Sequence, residues 1–199
     1  MSQLAIKKQN QWLCQDLSFE VGPGDVLAIT GSNGIGKTSL IRTLAGLDLA
    51  AQGKINSSAL LKIGYLPDHP PIYESLSVYE QLVLAAELFK IPKNIKLEHV
   101  NYYIELFQIT ELKHLWIKNL SKGQKQKVAL TQLWISNPSL FLMDEPTTGL
   151  DQASIHLLQN IIQIYQENST FVICSHEISW LNSLANKWIS LNAYASTTH

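Results

Sequence analysis

Apolar residues recur along this chain with two different periods, and the switch between them divides it. Over residues 4–31 they come in short runs, LAIKK, LSFEV and VLAIT, with a GPGD turn at 22–25 between the second and third. Runs of that length bounded by Gly, Pro and Asp predict strands. After Gly36 the spacing changes to Leu40, Ile41, Leu44 and Leu47, with Gly46 near the end of the segment. That is a helix turning one stripe toward a core. KIN at 54–56 and IGYL at 63–66 predict two more short strands. From about residue 75 to 135 the pattern is helical throughout: Ser77 followed by Glu80 forms a capping box for VYEQLVLAAELFK, and EHVNYYIELFQI carries a second apolar stripe. Asn137 and Pro138 then turn the chain into the strand LFLM, Asp151 is placed to cap the helix QASIHLLQNIIQIYQ, and TFVICS reads as a buried strand. Strands alternating with helices predict an α/β fold around a mostly parallel sheet, with the helical tract as an insertion.

Composition narrows the class. With 199 residues, 46% of them hydrophobic, the chain has material for one sizeable core and a small lobe packed on it. One domain over 1–199 is expected, its core at about 1–66 and 136–199 and its helical subdomain at about 67–135. Fifteen basic against sixteen acidic residues leave a formal net charge of -1, so no global field recruits nucleic acid, and no nucleic acid is expected as a partner. There is no apolar run of about 18 residues, and MSQLAIKKQN has neither the apolar centre nor the cleavage site of a signal peptide. A cytoplasmic chain is expected. Cys14 and Cys174 lack metal-ligand spacing and read as reduced core thiols.

The chemistry is concentrated in two stretches. GSNGIGKT matches G-x-x-x-x-G-K-[ST] with Gly31, Gly36, Lys37 and Thr38 at the fixed positions, between a strand and a helix as the pattern requires. Backbone amides of Gly31, Ser32, Asn33, Gly34, Ile35 and Gly36, with those of Thr38 and Ser39 at the helix N-terminus, make a cradle for phosphates. Lys37 reaches the terminal phosphates, and Thr38 offers a hydroxyl to the Mg2+ that accompanies a triphosphate. The core is therefore expected to be that of a P-loop NTPase. LFLMDEPTTGLD places Asp144 at the exit of a buried strand, where it holds Mg2+ through water. Glu145, next in line, is the candidate general base for the water that attacks the γ-phosphate.

NLSKGQKQKVAL at 119–130 adds a family likeness. Leu120, Ser121, Lys122, Gly123 and Gln124 resemble the LSGGQ signature of ATP-binding cassette (ABC) ATPases, about twenty residues before the Asp-Glu strand. Gly149, Leu150 and Asp151 resemble the family's D-loop, and His176 its switch histidine. Independently of that likeness, Ser121 and the Gly123 amide open a helix, whose N-terminus favours an anion. The resemblance implies an N-terminal antiparallel β subdomain beside the P-loop core and an inserted helical subdomain. It implies ATP and Mg2+ as cofactors, with Ser121, Gly123 and Gln124 closing on the ATP held by a neighbouring copy. A homodimer or a paired ABC subunit follows, as does a γ-phosphate contact for His176. Where the family usually has a glutamine, this chain has Asp68, which can still accept Mg2+ or a water proton. Trp12 is the ring nearest the place of the family's adenine-stacking aromatic.

The family likeness also bears on partners. It implies a separate transmembrane permease subunit docked on the helical lobe between Pro67 and about Trp116, where Tyr65, Tyr73 and Tyr79 are candidates to line the groove. The chain is then peripheral on the inner face of the cell membrane. YLPD and DEPTTGLD are similar to ATPases of small export systems, whereas LWISNPSLFLMDEP is similar to haem-exporter ATPases of cytochrome c maturation. Export is the expected direction. Non-transport ABC ATPases acting on soluble macromolecules usually carry coiled-coil insertions, paired cassettes or zinc modules, none of which is present. A P-loop kinase of small substrates leaves the signature unexplained.

Overall fold

A computed structural model describes residues 2–8, 11–56 and 61–194. Its centre is a five-stranded sheet of β3 (Val26–Thr30), β5 (Ile63–Leu66), β6 (Leu140–Asp144), β7 (Thr170–Cys174) and β8 (Lys187–Ser190), in the order β5-β6-β7-β3-β8. Every pairing in it is parallel, in register Asp144 with Cys174 and Ile29 with Cys174. Parallel strands covered on both faces are apolar at consecutive positions, and here the two faces feed different cores. Val26, Ala28, Phe141, Met143, Phe171 and Ile173 pack with the helical lobe, while Leu27, Ile29, Leu142, Val172 and Cys174 pack with the N-terminal strands and the first helix.

That first helix is α1 (Lys37–Leu44). Beside it lies an antiparallel sheet of β1 (Ser2–Lys8), β2 (Gln11–Leu17) and β4 (Gln52–Lys54), in the order β2-β1-β4. The insertion comprises α2 (Val78–Leu88), α3 (Lys96–Leu106), two short 3-10 turns and α4 (Lys122–Ile135). The capping box expected at the start of α2 is present: Glu80 N donates to Ser77 Oγ at 3.3 Å and Ser77 N to Glu80 Oε2 at 2.8 Å. Trp134, fully buried near the end of α4, joins the lobe to the sheet through Phe141, 4.6 Å away between ring centroids; Phe141 stacks in turn on Phe171 at 4.5 Å. The chain finishes with α5 (Gln152–Gln166), capped by Asp151 as expected, and the short α6 (Ile178–Asn182) before β8.

Three local expectations shift. The second strand is QWLCQDL rather than LSFEV, because β1 pairs Leu4 with Leu17 and Ile6 with Cys14; Phe19 and Val21 still pack on the core without a ladder. The strand expected at KIN is instead β4, QGK, paired with β1 through Ala5 and Gln52. Leu47 lies beyond the end of α1 and is 56% exposed, so it covers no core. Cys14 and Cys174 are buried free thiols, as expected.

Candidate active site

The strand order sets β6, β7 and β3 side by side, so the segments leaving their C-terminal ends meet at one edge of the sheet. Open parallel sheets place ligands at such an edge. A cavity of about 430 Å³ opens there, lined by Leu13, Asn33, Gly34, Gly36, Lys37, Thr38, Ser39, Asp68, Asp144, Glu145 and His176.

The glycine loop is curled. Gly36 takes a φ of 116°, and a Cβ there would come within 2.9 Å of the Leu13 side chain, so both conformation and space require glycine. Lys37 Nζ folds back and donates to the carbonyls of Gly31 at 2.8 Å and Ser32 at 3.2 Å. Those bonds hold an ammonium across the mouth of the amide cradle. Asn192, which no motif marks, accepts from both Ser32 N and Ser32 Oγ at 3.2 Å through its Oδ1.

Opposite the loop stand the two carboxylates. Asp144 is 2% exposed, and its Oδ2 has no hydrogen-bond partner. Burial pushes its carboxyl above the usual range, opposed first by a hydrogen bond from Thr38, while Asp68 adds to the rise and Lys37 and His176 oppose it. Glu145 sits at a φ of 50°, in the left-handed region, with its amide donating to Cys174 O at 2.8 Å. His176 N donates to Glu145 Oε2 at 3.2 Å, and His176 Nε2 stands 3.2 Å from Oε1 without the alignment of a hydrogen bond. Burial raises the Glu145 carboxyl as well, and His176 is the main counterweight.

The residues expected at the site divide into two groups. Asn33, Gly34, Gly36, Lys37, Thr38, Ser39, Asp68, Asp144, Glu145 and His176 share the cavity, whereas Gly31, Ser32 and Ile35 of the same loop, and Trp12, Ser121, Gly123 and Gln124, are not among its lining. Asp68 Oδ2 is 3.1 Å from His69 Nδ1. The wall beside the loop is Leu13; the neighbouring Trp12 has Lys7 Nζ 5.2 Å from its ring centroid. Ser121 instead caps α4, accepting from Gln124 N at 3.2 Å while Gln124 Oε1 accepts from Ser121 N at 2.8 Å. A Cβ on Gly123 would collide with the Gly149 carbonyl oxygen, so the signature glycine lets α4 lie against the D-loop of the same copy.

A buried carboxylate with one oxygen unpartnered is a destabilising feature of the fold. Asp144→Asn should raise stability at neutral pH in chelator by about 1–3 kcal/mol, because the neutral amide is spared the desolvation penalty that the buried charge carries. Because the folded carboxyl titrates above its unfolded value, the native state binds more protons in that window. The advantage of the variant over wild type should therefore be small below the unfolded carboxylate range, grow as pH rises through the window, and then level off. Urea unfolding of both proteins across pH checks this; an advantage that shrinks as pH rises would contradict it.

The sheet edge, the lysine-bearing loop and the paired carboxylates define a P-loop nucleoside triphosphatase. The model of the ABC transporter family matches residues 14–148. An uncharacterized ABC transporter ATP-binding protein of Methanocaldococcus jannaschii is 33% identical over 177 residues, covering 88% of this chain and 67% of that protein. The zinc import ATP-binding protein ZnuC of Cereibacter sphaeroides is 28% identical over 193 residues, covering 96% and 77%. A solved ATP-binding subunit of an ABC transporter superposes with a TM-score of 0.85 at 25% identity, covering 95% of this chain and 83% of the other. The chain belongs to the ABC transporter family, as an ATP-binding subunit that hydrolyses ATP to drive transport. Among the described residues, no helix is long and apolar enough to cross a membrane.

Proposed function

We propose that two copies of this subunit, or one copy and a paired ABC subunit, close head to tail around ATP and reopen on hydrolysis, moving a permease subunit docked on the helical lobe. The observation that carries the reading is the separation of the two phosphate-binding ends in one copy. The N-terminus of α4 lies outside the cavity that holds Lys37, Asp144 and Glu145, and Ser121 at its tip is exposed. Ser121 Oγ accepts within its own cap, which leaves its hydrogen free to donate to a phosphate oxygen brought by a neighbour. A triphosphate bound to Lys37 of one copy and to Ser121 of the next ties the pair, and loss of the γ-phosphate releases it.

Within each half the roles follow from position. Mg2+ fits the unpartnered Asp144 Oδ2 and the adjacent Thr38 hydroxyl, with Asp68 facing the same cavity; when bound it neutralises phosphate charge. Glu145 accepts a proton from the attacking water, and His176 fixes the carboxylate and faces the γ-phosphate. Trp12 is the proposed adenine-stacking residue, with Leu13 beside it in the cavity wall.

For the permease groove, Tyr73 and Trp116 are 57% and 50% exposed and face solvent, whereas Tyr79 packs on the lobe core under Lys113 and Tyr65 on the core beside α1. The docked subunit lies on the cytoplasmic face of the membrane. Export is the proposed direction, on the YLPD and DEPTTGLD stretches; the likeness to a zinc import ATP-binding protein favours import as the second reading. Co-purification of the permease, and whether transport then needs an external binding protein, separates the two.

Ser121→Arg tests the shared site. Nucleotide affinity of the isolated subunit should stay within about twofold, since Ser121 is not in its own cavity, while ATP-dependent pairing is lost to a bulky side chain at the contact. Undiminished pairing would reject the head-to-tail arrangement.

A further inference from the structure

Gln126 lies in α4, 5% exposed, and its Nε2 donates to Pro146 O at 3.0 Å. Pro146 immediately follows Glu145. The short segment from Glu145 to Leu150 leaves the sheet as a turn, with Thr148 N donating to Glu145 O at 3.1 Å and Leu150 N to Thr147 O at 3.0 Å. On the sheet side, Glu145 is anchored by its own amide on Cys174 O. On the far side the Gln126 amide is the side-chain anchor. The φ of 50° at Glu145 is costly for a residue with a Cβ and persists only where neighbours over-determine it. We infer that Gln126 is a positioning residue for the catalytic carboxylate: by holding the Pro146 carbonyl, the signature helix keeps Glu145 of its own copy aimed into the cavity.

This gives the N-terminal part of α4 two roles. Its tip, Ser121, is the end proposed to meet a neighbour's nucleotide, and one turn further on Gln126 grips the strap behind the copy's own base. Gly123 lies against the Gly149 carbonyl, so the two contacts bracket the turn from Pro146 to Gly149. Lys125 adds a pair with Glu74 at 2.5 Å, on the segment that follows Asp68. A shift of α4 is thereby passed to Glu145 through the Gln126 bond to the adjacent Pro146 carbonyl. The inference rests on Glu145 as the base.

The test separates the hydrogen bond from packing and from nucleotide binding. Gln126→Met keeps volume and removes the donor; kcat should fall roughly 10- to 100-fold, as for misplacement of a reacting group by a fraction of an ångström to an ångström, with KM for ATP nearly unchanged. Gln126→Ala should lose a similar amount of kcat, whereas Gln126→Lys, which keeps an N–H donor of comparable reach, should retain more than the methionine variant. In the Glu145→Gln background, Gln126→Met should leave ATP-dependent pairing intact, because the cap at Ser121 is untouched. A methionine variant with wild-type kcat, or a loss carried by KM or by failed pairing, would overturn the inference. Full hydrolysis by Glu145→Gln alone would instead remove the base and this proposal with it, and it is read in a different protein from the Gln126 kinetics.

Discussion

Glu145→Gln should bind ATP about as well as wild type and hydrolyse it at least about 100-fold more slowly, the lower range for removal of a general base. The amide is isosteric with the carboxylate, so the backbone bonds to Cys174 and the turn at Thr148 remain. What is lost is the acceptor for the water proton. Burial of the carboxylate, 16% exposed on its side chain, is unfavourable for charge, so the neutral variant should also be no less stable than wild type. Steady-state phosphate release with nucleotide titration checks both halves. Turnover within threefold of wild type would reject Glu145 as the base, and lost ATP binding would reject its placement behind the phosphate site.

Lys37→Ala should weaken ATP binding by roughly 100-fold, the loss expected from two charge-assisted hydrogen bonds to phosphate oxygens at about 1.5 kcal/mol each. The affected contacts are those that Lys37 now makes to the Gly31 and Ser32 carbonyls, which it exchanges for phosphate. The same substitution therefore removes a brace from the loop. AMP lacks the β- and γ-phosphates and should bind the variant and wild type alike. Calorimetric titration with ATP and AMP separates loss of the phosphate contact from collapse of the loop. Unchanged ATP affinity would move the phosphate site away from Lys37.

Much of the site can be read from the chain because its parts are local. Residues 31 to 39 form one continuous loop and helix start, and Asp144 and Glu145 are adjacent at a strand end. His176 joins them because β7 lies between β3 and β6, a strand order that buried apolar runs imply only as a parallel sheet. Contacts set by register are less legible. Whether Trp12 or Leu13 faces the loop depends on how β1 pairs with β2, and a shift of one residue reverses the face. The misplaced second strand has the same origin: LSFEV alternates as well as QWLCQDL, and only the pairing partner decides between them. Asn192 and Gln126 are far in sequence from what they hold, 160 residues from Ser32 and 20 from Pro146. A polar side chain on a helix or turn carries no mark of which distant carbonyl or amide it will meet.

If one triphosphate is held by two copies, ATP should set the mass of the particle. Light scattering of the Glu145→Gln subunit with Mg2+ and ATP measures it most directly, since hydrolysis no longer clears the tie. The expected result is a particle of twice the subunit mass with ATP, single subunits with ADP, and single subunits again when Ser121→Arg is added to the same chain. A variant that binds ATP fully yet stays at the mass of one subunit, with the wild-type ATPase rate per subunit independent of concentration, would contradict the shared site.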